Sequence, residues 1–421
     1  MGIIRKINLH NGVRILFERI PYTRSASVGF WIDVGSRNEQ DAENGLSHFI
    51  EHMFFKGTLR KNAYELSNAM NLIGGNVNAF TSQENICLSA KVIDEHLGHA
   101  IGLLAEIYQE SAFSEDEIER ERNVVLEEVS MYNDTPDELV VDMFMNRLYA
   151  DHPIGRPILG APENILRFQR DDIQRFLGRE FAPDRIVVAV AGNFDQRRVE
   201  PQIRRIFEPI SPNGWERNPL TRPAPVYSSH NEDRQLEQVH FCIGTDAPER
   251  ASGERFGFSI LNMIIGGGTS SRIFQEVREK RGLAYSVGSF DCTFKDAGCF
   301  AISGGCNPRN IHKVLELCLA EVRKFCGEGV TTGEIENARE QIKSSIVLGM
   351  ENCSTRMARL AEYEMYFGEY VPVDHVIAKL NAVTRDDVRN LADKYLRDRP
   401  VTFTSIGPDK KFERYLNGMT F

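Results

Sequence analysis

Residues 170–192 read RDDIQRFLGREFAPDRIVVAVAG, and residues 385–407 read RDDVRNLADKYLRDRPVTFTSIG. Both open on Arg-Asp-Asp and a β-branched residue, continue in a helical apolar pattern, and end in a run closed by Gly192 or Gly407. They lie 215 residues apart, or 214 where Asp184 answers Asp398. A second pair keeps nearly the same spacing: SEDEIERER at 114–122 and TTGEIENAR at 331–339, with Ile118 answering Ile335 at 217. Each begins with a hydroxyl residue followed three positions later by Glu, a capping box that satisfies free N–H groups at a helix start. Two matches at almost constant separation indicate a tandem duplication.

Between the copies, Pro209, Pro212, Pro219, Pro223 and Pro225 read as an extended, semi-rigid linker. The expected division is therefore residues 1–208, a linker over 209–235, and residues 236–421. In the first half, residues 25–34 alternate as SASVGFWIDV and predict a strand, whereas residues 44–55 and 62–73 have helical apolar spacing. Gly74-Gly75 stops the second helix, and residues 76–92 read as strand, turn and strand. Further helices are predicted from Glu95 and Ser114, and Thr135-Pro136 opens another with Pro in its first turn. The fold class expected is α+β, two duplicated homologous halves, each a mostly antiparallel sheet packed with helices.

At 421 residues the chain can bury sizeable cores, and 42% apolar with 26% charged residues is the balance of a globular protein. A formal charge of −10 argues against a nucleic-acid partner. No stretch reaches the uncharged apolar length that spans a bilayer, and residues 1–17 lack the continuous apolar core of a signal peptide. The eight cysteines form no CxxC pair, and most sit among apolar neighbours. Reduced, buried thiols and a cytoplasmic location are expected.

The chemistry-bearing stretch is His48-Phe49-Ile50-Glu51-His52. Positions i and i+4 of a helix share a face, so His48 and His52 can aim two imidazoles at one ion with Glu51 beside them. This HxxEH string inverts the HExxH motif of zinc enzymes. Taken alone it also fits a solvated helix with two ordinary histidines. A catalytic zinc takes three protein ligands, and the helix opened by Ser114 offers Glu121, Glu127 and Glu128, of which Glu121 and Glu128 lie two turns apart on one face. The duplicate is an internal control: at the offset of 217, Glu121 falls on Ala338 and Glu128 on Ser345, and residues 264–268 (IIGGG) are expected to answer the HxxEH helix. The whole metal set is missing there.

With GLSHFIEHM at 45–53, Glu121-Arg122 through Glu127-Glu128, and REKRGLAYS at 278–286, the chain resembles the pitrilysin family of metallopeptidases, close to the mitochondrial processing peptidase branch and its bacterial relatives. The resemblance implies one zinc per chain on His48, His52 and Glu128, with Glu51 as general base towards a zinc-activated water, and Glu121 as a second acidic position supporting the site. It further implies a two-lobed shell, an endopeptidase acting on unstructured peptides or protein segments, and a homodimer among the assemblies open to it. Glu127 reads as solvent-facing.

Two further elements bear on substrate. Residues 74–81 (GGNVNAFT) read by themselves as a hairpin; similarity to the family's N-A-x-T segment makes Asn78, Ala79, Phe80 and Thr81 an edge strand that holds a peptide by strand addition. The departure at Ile86-Cys87-Leu88, where many relatives have Thr and Tyr, leaves side-chain preferences open. Arg278 and Tyr285 read by themselves as an exposed helix Arg and a packed Tyr; the resemblance implies that they complete the active site from the second half as donors to developing negative charge. The triglycine at 266–268 lacks the Lys-Ser or Lys-Thr of a phosphate loop and reads as packing. The rival function is a non-catalytic partner or scaffold subunit of a processing peptidase, although such members typically lack motif residues that are all present here.

Overall fold

A computed structural model describes residues 3–212, 220–408 and 419–421; Pro219 of the expected linker lies outside them. The described chain forms two compact units, each built on one sheet.

The first sheet has six strands: β1 (Ile3–Asn8), β2 (Arg14–Arg19), β3 (Ser25–Ile32), β4 (Asn76–Thr81), β5 (Ile86–Ile93) and β6 (Ile186–Gly192). They are ordered β1-β2-β6-β3-β5-β4, antiparallel throughout except for β2 against β6. The second sheet has β7 (Ser229–Glu232), β8 (Val239–Asp246), β9 (Ala284–Thr293), β10 (Gly298–Cys306) and β11 (Thr402–Ile406), ordered β7-β11-β8-β10-β9. Only β7 and β11 run parallel. Strand for strand this is the order of the first sheet from β2 to β4, so the duplication read from the repeats is a duplication of topology.

Apolar patterning explains why each sheet is covered on both faces. Strand β6, IVVAVAG, is buried at every position, the signature of a strand packed on two sides. Val28, Phe30 and Ile32 of β3 and Val188 and Val190 of β6 point into the main core with Phe49, Ile50 and Ile101. On the opposite face Trp31, Leu16, Cys87, Val187, Ala189 and Ala191 pack with Met357, Leu360 and Ala361. Those last three residues belong to the helix Cys353–Phe367, which comes from the second half of the sequence. A Cβ at Gly29 would lie 2.5 Å from Met357 Sδ and 2.6 Å from Trp31 Nε1. Buried Glu18 and Glu364 pair with Arg356 and Lys6 across the same junction. Reciprocally, the helix Pro136–Leu148 packs on the sheet of the second unit, where Val140, Phe144 and Met145 join Cys242, Cys299 and Ile406.

The compact units therefore differ from the contiguous spans 1–208 and 236–421. One comprises Met1–Ser130, Pro157–Leu220 and Leu348–Tyr370, the other Met131–Arg156, Thr221–Val347 and Val371–Phe421. Each half lends the other a helix at the same place in the repeat, Pro136 and Cys353 being 217 residues apart. All eight cysteines are free thiols and seven are buried. No described helix is long and apolar enough to cross a membrane.

Candidate metal centre

The helix Leu46–Met53 carries the HxxEH residues and packs Leu46, Phe49, Ile50 and Met53 into the core, leaving the other face for His48, Glu51 and His52. Its N-cap is Gly45 in the left-handed region (φ 99), where a Cβ would meet Gly160 Cα and Leu159 O at 2.8 Å. Glycine is the residue that tolerates both constraints, but it brings no capping side chain. Glu39 reaches in instead: its buried carboxylate accepts the N–H of Gly45 at 2.9 Å, that of Ser47 at 2.7 Å and the Asn44 amide at 3.3 Å. Burial pushes the Glu39 carboxyl up to about 7 against the pull of those bonds.

The helix Glu115–Asn133 places Glu121 and Glu128 two turns apart facing the histidines. Glu128 Oε2 lies 3.2 Å from His52 Nε2 and 3.8 Å from His48 Nε2. One donor atom from each of the three residues falls within 4.8 Å of the others, the one such group among the described residues. Donors about 2.0–2.2 Å from a tetrahedral zinc stand roughly 3.3 Å apart, so two imidazoles and a carboxylate at these spacings fit the ion with a position left open.

Hydrogen bonding favours the same arrangement. His52 Nδ1 is 2.8 Å from Glu121 Oε1; an ionised carboxylate only accepts, so Nδ1 carries the hydrogen and Nε2 keeps its lone pair for a metal. Lys56, four residues after His52, holds the other Glu121 oxygen at 2.6 Å. Burial opposes ionisation of Glu121, yet its bonds to His52 and Lys56 hold it below the usual carboxylate range. Burial, and then the neighbouring His52, drop His48 to about 4, which keeps its imidazole neutral and able to ligate. Glu51 is raised by burial despite a 2.6 Å bond donated by Thr81 Oγ1, the direction expected of a base. Glu127 is exposed.

Strand β4 forms the edge beside this helix. Ser82 N–H donates to Asn85 O, and alternation from that pair turns the main-chain groups of Thr81, Ala79 and Val77 away from β5 towards the open edge. Asn78 and Phe80 lie on the face opposite the metal helix, Phe80 edge-on to Trp31 at 5.3 Å, while the side chains of Ala79 and Thr81 face the helix. In the second unit Arg278 and Tyr285 come together, the guanidinium 5.1 Å from the centre of the Tyr285 ring and 4.8 Å from that of Phe274. Tyr285 is 80% exposed at the start of edge strand β9, so it is not the packed Tyr that the residue by itself suggests.

The family model of insulinase, peptidase family M16, matches residues 14–162, and that of the peptidase M16 inactive domain matches residues 167–342. An uncharacterized zinc protease of Streptomyces coelicolor is 38% identical over 98% of this chain and 92% of its own length. This chain belongs to the M16 peptidase family. The uncharacterized zinc protease YmxG of Bacillus subtilis is also 38% identical, over 93% of this chain and 95% of its own. Among solved structures, a protease from Helicobacter pylori has the same fold with a TM-score of 0.89 at 22% identity, covering 97% of this chain and all of its own.

In M16 terms the second half is the copy without a metal set, and the structure corrects where its counterpart residues lie. The helix Arg255–Ile265 stands between β8 and β9 as Leu46–Met53 stands between β3 and β4. By strand register Asp291 of β9 is the counterpart of Thr81 of β4, and it accepts from Asn262 Nδ2 at 2.6 Å where Thr81 meets Glu51. Asn262 thus answers Glu51, which puts Ser259 and Met263, rather than residues 264–268, opposite His48 and His52. Sequence reading passes over Glu39 and Lys56; the signal for Lys56 is its i+4 spacing from His52, and for Glu39 a Glu shortly before a helix that starts on glycine.

Proposed function

We propose that the protein is a zinc-dependent endopeptidase acting on unstructured peptides or protein segments. The observation that carries the reading is the convergence of His48, His52 and Glu128 beside Glu51, next to a strand edge whose main-chain groups are turned outward. Zinc, when bound, supplies a Lewis acid that acidifies water and polarises a carbonyl.

His48 offers a neutral nitrogen on one helix face, and Glu121, accepting from Nδ1 of His52, fixes that ring with its Nε2 turned towards Glu128. Glu51, raised by burial, takes the proton of the attacking water and passes it to the departing amine. The edge of β4 at residues 77–81 holds the peptide by main-chain pairing, which needs an extended, unfolded segment and is largely indifferent to its side chains. Arg278 and Tyr285, one fixed cation and one neutral donor, are assigned to the peptide's carbonyl groups.

The test is incubation of the purified protein with a mixture of unstructured peptides, with and without a chelator, the products being identified by mass. Internal cleavage that the chelator abolishes and added zinc restores is expected; cleavage indifferent to the chelator, or none, contradicts the reading. In the same assay Arg278→Ala and Tyr285→Phe should lower turnover by about one to three orders of magnitude at unchanged metal content, and full activity in both removes them from the mechanism.

A further inference from the structure

Thr81 was expected to contact substrate, but its side chain turns the other way. Its Oγ1 donates to Glu51 Oε2 at 2.6 Å, with the Ser47 carbonyl more distant at 3.5 Å. A hydroxyl has one hydrogen, so the shorter, charge-assisted bond takes it. The N–H and C=O of the same residue face the open edge of β4. One residue thus touches the base through its side chain and offers its main chain to an incoming strand. We propose that Thr81 is a positioning residue that fastens the Glu51 carboxylate to the edge of β4, so that a peptide paired with this edge meets a base already oriented towards its scissile bond. The inference rests on the endopeptidase reading above.

The duplicate separates this role from simple fastening of strand to helix. In the second unit the register counterpart of Thr81 is Asp291, which carries no hydroxyl and accepts from the amide of Asn262 at 2.6 Å, while Ser289, the counterpart of Ala79, meets Asn262 Oδ1 and spends its own N–H on Gly266 O at 3.0 Å. Where no base is present, an outward N–H of the strand edge is taken by the protein's own chain. At Thr81 no main-chain partner beyond β5 occurs among the described residues, and the hydroxyl meets a carboxylate. β4 is also braced on its far face by Phe80 against Trp31, which limits how far the strand, and Glu51 with it, can shift. One oxygen of Glu51 held by Thr81 leaves the other to accept a proton.

The experiment compares Thr81→Val, which keeps the shape and removes the donor, with Thr81→Ser, which restores it. For each, kcat and KM are measured on an unstructured peptide, zinc content by elemental analysis, affinity of the metal-stripped protein for the same peptide by fluorescence anisotropy, and folding by thermal unfolding. The expected result for Thr81→Val is a fall in kcat of about 10–100-fold, the cost of a misaligned catalytic group, with KM within about threefold and zinc and peptide affinity unchanged. Thr81→Ser should recover most of the rate. Undiminished kcat in a folded Thr81→Val, or a loss confined to KM and peptide affinity, overturns the proposal and returns Thr81 to substrate binding. If Thr81→Val does not fold, a Thr81→Ser variant that is folded but as slow as a Glu51→Gln variant overturns it as well. Wild-type protein that binds but never cleaves peptide, with or without zinc, defeats the endopeptidase reading itself and this proposal with it.

Discussion

His52 uses both ring nitrogens, Nε2 towards Glu128 and Nδ1 towards Glu121, and the second bond decides what the first can do. Glu121 in turn has its other oxygen on Lys56. Removing the ammonium leaves a nearly buried carboxylate short of a partner, free to turn or to take a proton, and the tautomer of His52 is no longer enforced. Lys56→Met is expected to weaken zinc binding by about 10–100-fold, with Lys56→Arg close to wild type, in competition against a chromophoric chelator; equal affinity in all three would show that Lys56 only decorates the site. Glu39 gives a pH signature. Its folded value near 7 lies above the ordinary carboxyl value of 4.5, so the folded state binds the extra proton and Glu39's contribution to stability is lost as pH rises from about 4.5 through 7. Glu39→Gln carries no such loss. The stability of Glu39→Gln relative to wild type should therefore rise across that window in denaturant titrations, and a pH-independent difference would contradict the assignment. The HxxEH spacing, and the seven-position spacing of Glu121 and Glu128, were legible because helical periodicity converts them directly into a shared face. Glu39 and the orientation of Thr81 were not, since each depends on a tertiary contact that local spacing does not encode.

The exchanged helices are the elements that sequence could not assign. An apolar face on 136–148 or on 353–367 says that the helix is buried, but not against which of two homologous sheets, and chain continuity favours the wrong one. The consequence for zinc binding is concrete. Division at the linker implies that a fragment ending near Pro212 holds the metal by itself, whereas the structure leaves that fragment without the helix that covers Trp31, Leu16, Cys87 and Val187. Large apolar side chains left open to water forfeit about 1.5–3 kcal/mol each, and a domain is stable by only about 5–15 kcal/mol. Residues 1–212 alone are expected to lack a cooperative thermal transition and to bind a hydrophobic dye; joining residues 348–370 through a flexible linker should restore both cooperativity and zinc uptake. A cooperative, zinc-loaded 1–212 fragment would mean that the helix is dispensable.

Across the whole molecule, one fold was copied and the copies diverged. The strand order from β2 to β4 recurs from β7 to β9, yet Ser259, Asn262, Met263, Ala338 and Ser345 stand where the first copy has His48, Glu51, His52, Glu121 and Glu128. The duplication was legible at residues 170–192 and 385–407 because both copies preserved a helix start and a buried strand, the parts that folding constrains. The metal set survives in one copy only, as expected if it serves chemistry rather than folding. In the proposed mechanism that chemistry turns on Glu51, which ligates nothing in the proposed centre yet sits among its ligands. The most direct measurement is peptide turnover and zinc content, side by side, for wild type and Glu51→Gln. The amide keeps the shape and the Thr81 contact but cannot take up the proton, so bound zinc should be retained while turnover falls by about two to four orders of magnitude. Turnover that survives the substitution in zinc-loaded protein would contradict the assignment of Glu51 as the base and the endopeptidase mechanism built on it.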